Sequence, residues 1–322
     1  MRGGRLARFF DSFFVLRPTL IFPLWTMTLA GCWLALRAPN HWLQWSGFLQ
    51  SGRGIASWRW LLLSISITSM YGLIYLLNQI KDIKTDSINE KLFLVAEGAL
   101  SRRHLIIEAG ILTLAVAVFL FLSRFTHLGL LALSIFVIIG ILYNFTPLAL
   151  AGKPWGGLTA YLIGGWMALQ LGEMIYGESI SLRWEIPYLI AFVSSCIVTN
   201  LPDKPGDMSD GKMTFAVVHS ERGTLIVGAA GFFLAAVVGV FNRDWVIVLP
   251  AAMTTPGMLA AYLKQNVELS IRVNKWAIFL LSVSVGAAFG FPVYLIIIGL
   301  YYPFARWYHR NRFGMAYPSF RC

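Results

Sequence analysis

The sequence predicts an all-α, polytopic membrane protein: about nine transmembrane helices around a central cavity, with two acidic motifs at the cytoplasmic rim. Three observations predict it. Of 322 residues, 57% are hydrophobic and 13% are charged, which is outside the composition of a soluble domain. About 20 apolar residues span the hydrocarbon layer as a helix, and such stretches recur at 18–37, 58–80, 105–123, 128–148, 156–176, 186–201, 223–241, 245–263 and 276–301. The charged residues collect between these stretches.

Taken in order, the chain begins with a basic segment, 1–17, read as a cytoplasmic N-terminus. The first stretch contains "LAGC" at 29–32, the outline of a lipoprotein cleavage box, but apolar "WLAL" follows where a mature lipoprotein turns polar, so a membrane helix simply continues. Segment 38–57, with Trp42 and Trp45 and then Trp58 and Trp60 beyond it, reads as an interfacial stretch anchored by indoles. The connections at 124–127 and 242–244 are short enough to make antiparallel hairpins. Two others, 81–104 and 202–222, are long and polar. No Pro/Ser/Gly-rich linker interrupts the chain, so 1–322 is expected to be a single membrane-embedded domain.

The net charge of +11 is scattered among the connections and forms no continuous basic face, so no nucleic-acid partner is expected; the bilayer is. With a cytoplasmic N-terminus, most of the 26 Lys and Arg fall on the inner side, as the positive-inside rule requires. The expected location is therefore the cell inner membrane. Nine spans conflict with this rule at the C-terminus, because they place Arg306, Arg310, Arg312 and Arg321 outside unless the last span is re-entrant or miscounted. Cys32, Cys196 and Cys322 have no metal-ligand spacing, and neither a disulfide nor a zinc site is expected.

The chemistry concentrates in the two polar connections, which carry five of the seven Asp. In "NQIKDIKTDSINEK", residues 78 to 91, Asn78, Asp82 and Asp86 are four apart, so on a helix they stack on one face about 6 Å apart along the axis. Asp203 and Asp207 repeat the spacing, with Asn200 and Asp210 near the same face if the segment is helical; Pro202, Pro205 and Gly206 stand against that helix. Stacked carboxylates repel unless a cation lies between them. Solvated loops and helix caps are the plainer explanation for any single Asp. Two matching ladders on one side of a membrane suit Mg²⁺, a hard ion taking oxygen ligands and usually shared between one or two carboxylates and substrate phosphates. A diphosphate brought to the rim of an apolar bundle is expected to carry an apolar tail, as polyprenyl diphosphates do.

The first motif resembles the NxxxDxxxD signature of the UbiA superfamily of intramembrane prenyltransferases, and "NLPDKPGDMSDGKMTFAV" at 200–217 resembles that family's second motif. "LRPT" at 16–19, "EGALS" at 97–101 and "YNFTPLALAGKPWGG" at 143–157 extend the resemblance over essentially the whole chain. It implies a Mg²⁺-dependent transferase acting on a polyprenyl diphosphate donor, with Asn78, Asp82, Asp86, Asn200, Asp203 and Asp207 as metal ligands and Asp82 and Asp203 central to catalysis. Lys91, Lys153 and Arg17 would hold the diphosphate or an acceptor anion. Independently of the resemblance, Tyr143 and Asn144 stand at the inner end of the fourth span, where they either hydrogen-bond substrate or cap and pack that end. The sequence departs from the family pattern at "NEKLFLVAEG" and at Asn200, where many members carry Asp. The acceptor therefore stays open between an aromatic quinone-type precursor and a non-aromatic lipid or tetrapyrrole. A secondary transporter is the competing class, but its ionisable groups belong near mid-span, whereas these acids follow the spans.

Overall fold

The computed structural model describes residues 5–37, 57–88, 93–96, 99–123, 126–175, 181–288 and 292–318. Every regular element among them is helical. The long ones are α1 Arg5–Val15, α2 Pro18–Arg37, α3 Ser57–Ile88, α4 Arg102–Ser123, α5 Thr126–Ile135, α6 Pro154–Ile175, α7 Leu182–Thr199, α8 Glu221–Phe241, α9 Trp245–Leu263, α10 Val267–Ala288 and α11 Pro292–Phe313. Seven of these helices are long and apolar enough to cross a membrane. The interfacial segment expected at 38–57 lies almost wholly outside the described residues.

One boundary differs from expectation. The apolar stretch 276–301 is divided between α10 and α11. Pro292 is the cause: it cannot donate a backbone N–H to a preceding helical turn, yet its fixed φ suits the first residue of a new helix.

The described residues form two units, each assembled from separate stretches of chain. The first contains residues 1–22, 51–149 and 296–319. Its core includes Phe14, Val15, Leu76, Leu105, Ala305 and Tyr308. The amphipathic α1 buries Ala7, Asp11, Phe14 and Val15 and exposes Phe9 and Phe13. Phe14 stacks on Tyr308 with ring centroids 4.0 Å apart. Beside this stack Asp11, fully buried, accepts from both Nε and Nη2 of Arg312 at 3.0 Å. The Tyr308 hydroxyl donates to the same carboxylate at 2.5 Å. A buried carboxylate is tolerated only when its lone pairs are met, and these bonds meet them. They also join the helix that precedes α2 to the last turn of α11.

The second unit contains residues 23–50, 150–295 and 320–322. Here α2 and α6 cross with their backbones in contact: a Cβ at Gly31 would stand 1.9 Å from the Leu169 carbonyl oxygen, and one at Gly172 would stand 1.9 Å from that of Thr28. Only glycine permits this approach, the small-residue crossing that membrane helices use when no hydrophobic drive separates lipid from protein. The α8–α9 hairpin forms as expected, with Asp244 capping α9 by accepting from Val246 N at 3.2 Å. Two buried acids lie deeper in this unit. Gln170 Nε2 donates to Glu173 at 3.0 Å and to Glu185 at 2.5 Å, and Trp166 Nε1 donates to Glu185 at 3.0 Å.

Asp11→Ala leaves the Arg312 guanidinium without its partner beside an apolar core. The expected loss is about 3–5 kcal/mol, read as a lowered thermal midpoint of the detergent-solubilised protein.

Candidate active site

The first acidic motif belongs to the first unit. Helix α3 carries it past the apolar part of the span, and the backbone leaves helical geometry at Asp82, with φ −99° and ψ 18°. The strict ladder expected from the spacing is therefore kinked at its middle rung. Asn78 Nδ2 donates to Asp82 Oδ2 at 2.9 Å and to Asn144 Oδ1 at 3.0 Å. The side-chain nitrogen of Asn78 is thus committed, which leaves Oδ1 as the atom offered to a cation.

Asn144 is buried and sits just after a run of π-helical turns at Phe136–Leu142. Its own Nδ2 donates to the Gly140 carbonyl at 2.9 Å. The wider π turn adds a residue to the coil and re-aims the side chains beyond it. Within this unit Asn144 is therefore a support for Asn78. Tyr143 is half-buried beside it and closes the π turn through its backbone N–H to Ile138 at 3.0 Å. Arg17 sits at the α1–α2 turn with φ +51°, a left-handed conformation that Pro18 follows as the first residue of α2. The side chain of Asp86 and the whole of Lys91 lie outside the described residues.

The second motif belongs to the second unit. Helix α7 ends at Thr199, a 3₁₀ turn covers Leu201–Asp203, and a short helix covers Lys204–Ser209. Pro202 and Pro205 fall in the first turns of these pieces, where the missing N–H has no intrahelical partner to lose. The chain therefore keeps a helical course through both prolines, and Asp203 and Asp207 fall about one turn apart. Asp207 is 7% exposed. Lys212 places Nζ 3.9 Å from Asp207 Oδ1 and 3.8 Å from Asp210 Oδ2. Gly211, at φ +71°, makes this possible by turning the chain back so that Lys212 N bonds the Asp207 carbonyl at 2.9 Å. The oxygen of Asn200 accepts from the Tyr161 hydroxyl at 3.0 Å, a bond that no sequence signal announced. Lys153, Tyr161, Asn200, Thr214 and Phe215 line a small pocket beside it.

Among the described residues, no three His, Cys, Asp or Glu side chains are grouped closely enough to hold a metal by themselves. Each motif instead offers carboxylate and amide oxygens in small number. That donor set fits Mg²⁺, which keeps waters and shares its shell with substrate phosphates; it does not fit zinc, which favours Cys and His.

A match to the UbiA prenyltransferase family spans residues 24–283. Among curated proteins none matches. Several solved structures share the fold. A UbiA homolog from Archaeoglobus fulgidus bound to GPP and Mg2+ aligns with a TM-score of 0.64 at 12% identity, covering 87% of this chain and 99% of that one. The apo structure of a UbiA homolog from Aeropyrum pernix K1 aligns with a TM-score of 0.59 at 16% identity, covering 86% and 98%. A digeranylgeranylglyceryl phosphate synthase aligns with a TM-score of 0.57 at 16% identity, covering 87% and 96%.

Asn144→Leu removes the acceptor that holds Asn78 and the donor that meets the Gly140 carbonyl. The expected cost is about 1–3 kcal/mol from buried polar atoms left unpaired, measured as a drop in thermal midpoint.

Proposed function

This chain belongs to the UbiA prenyltransferase family, and on that premise we propose that it transfers a prenyl group from a polyprenyl diphosphate to an aromatic ring of a quinone-type precursor. The observation that carries the reading is the Asn78–Asp82 pair, bonded at 2.9 Å and braced by Asn144 at 3.0 Å. An amide and a carboxylate held with their oxygens fixed make half of a cation site.

Asn78, Asp82 and Asp86 of the first motif, with Asn200, Asp203 and Asp207 of the second, would hold Mg²⁺; the similar Archaeoglobus fulgidus homolog is bound to GPP and Mg2+. Held by these residues, Mg²⁺ would supply charge neutralisation for the leaving diphosphate. The chain's own groups do the rest. Lys153, Arg17 and Lys91 hold anionic oxygens, and Lys212 offsets the charge of Asp207 and Asp210. The allylic C–O bond breaks with its electron pair staying on the diphosphate. A ring carbon of the acceptor then bonds the prenyl carbon, and the ring loses the proton it carried there. Apolar helices keep water from the allylic cation meanwhile.

A second acceptor class, a non-aromatic lipid, is favoured by one observation: the shared fold with a digeranylgeranylglyceryl phosphate synthase. The donor chemistry is the same in both readings.

The protein is an integral, multi-pass membrane protein. We place both termini on the cytoplasmic face of the cell inner membrane, with residues 1–322 working as one domain. The buried Asp11–Arg312 pair, 3.0 Å apart, supports the shared side, since one partner precedes the first span and the other ends the last helix. An even number of crossings then relieves the conflict over Arg306, Arg310 and Arg312.

Asp82→Ala or Asp203→Ala is expected to lower prenyl transfer at least ~10³-fold in protein that remains folded in the membrane, and chelation by EDTA is expected to stop the wild type. Turnover of labelled prenyl diphosphate measures both, and normal turnover by either variant overturns the assignment. Separately, epitope tags at the two ends are expected to be accessible from the same face of sealed vesicles.

A further inference from the structure

We propose that the small pocket beside the second motif is a subsite for an anionic oxygen of the substrate, with Thr214 as the residue that touches it and Tyr161 as the residue that aims Asn200 into it. This rests on the transferase reading and adds Thr214 and Tyr161 to the residues that reading uses. Thr214 stands at the N-cap of the short turn Phe215–Val218. A threonine there ordinarily spends its hydroxyl oxygen on a backbone N–H two or three residues ahead. Here the Val217 and Val218 N–H groups both bond the Thr214 carbonyl at 3.0 Å, and the hydroxyl makes no capping bond. Its Oγ1 is buried with no hydrogen-bond partner among the described residues, on a residue only 8% exposed that lines the pocket. A buried hydroxyl without a partner is unfavourable, and a ligand oxygen in the pocket completes it.

The other groups around the pocket point to the same chemistry. The Asn200 oxygen accepts from the Tyr161 hydroxyl at 3.0 Å, so its NH₂ remains as a donor while the oxygen's second lone pair remains for a cation. Lys153 adds a positive charge, and it immediately precedes the 22-residue helix α6, whose N-terminal end carries the positive pole of the helix dipole. Among the described residues, none lining the pocket is acidic. Donors and positive charge without an opposing carboxylate select an anion. The pocket's small size selects the oxygen end of a phosphate or carboxylate over a ring or a prenyl chain. Asn200 lies three residues before Asp203, so an anion held here adjoins the acidic motif. The diphosphate end of the donor and the charged head of the acceptor are the two sources of such an oxygen.

Steady-state kinetics on the full-length protein in membranes separate them. Thr214→Val is expected to raise KM for one substrate about tenfold while kcat stays within about threefold. Thr214→Ser is expected to restore the wild-type value. Tyr161→Phe is expected to raise the same KM by a smaller factor. A change in KM for the prenyl diphosphate, with weaker inhibition by inorganic diphosphate, assigns the oxygen to the donor; a change in KM for the acceptor assigns it there. Unchanged KM for both substrates in Thr214→Val overturns the proposal, as does a loss of kcat and thermal stability that Thr214→Ser fails to restore. If the wild type transfers no prenyl group at all, the transferase reading fails by itself. Calorimetric binding of inorganic diphosphate or of benzoate, weakened by Thr214→Val for one of them, still supports the pocket, and equal binding of both by the variant sinks it.

Discussion

Carboxylates held at the ends of apolar helices set the terms for this structure. A bare acid at such a position repels its neighbours and draws water toward the bundle, so each must be given a partner that keeps its position. The two motifs do this differently. In the first, an amide does the holding: Asn78 bonds Asp82 and is itself braced by Asn144, whose position depends on the π turn at Phe136–Leu142. In the second, an ammonium does: Lys212 approaches Asp207 and Asp210 because Gly211 turns the chain back. One arrangement engages the amide nitrogen and leaves its oxygen as the atom to offer a cation, and the other lowers the net negative charge around its acids.

Other helices of the two units are joined by close, local devices. Gly31 and Gly172 let α2 and α6 touch backbone to backbone within the second unit. In the first unit Asp11 ties α1 to the end of α11 through Arg312 and Tyr308. Each device fixes helices within the unit that holds one motif, and α6, held by the glycine crossing, packs on α7, which leads into the second motif.

The all-α membrane architecture was legible because hydropathy accumulates along one segment at a time, without knowledge of its neighbours. The acidic spacing was legible for the same reason, since residues four apart share a face whatever surrounds them. Even the prolines at 202 and 205 left the helical course intact, because they fall in first turns. What could not be read depends on residues distant in sequence or on departures from ideal geometry. The kink at Asp82, the bond from Asn78 across 66 residues to Asn144, and the bond from Tyr161 to Asn200 leave no periodic trace. The division of 276–301 was signalled by Pro292, but uninterrupted hydropathy on both sides concealed it. Thr214 was visible within "KMTFAV", yet only the structure shows its hydroxyl turned away from the cap it begins.

We propose that both acidic motifs contribute to binding a divalent metal and diphosphate. Spectroscopic titration of the purified protein with Mn²⁺ as a stand-in for Mg²⁺, with and without inorganic diphosphate, tests it most directly. The expected result is Mn²⁺ binding that tightens when diphosphate is present and weakens in both Asp82→Asn and Asp203→Asn. Mn²⁺ binding that ignores diphosphate, or that survives both substitutions unchanged, would contradict it.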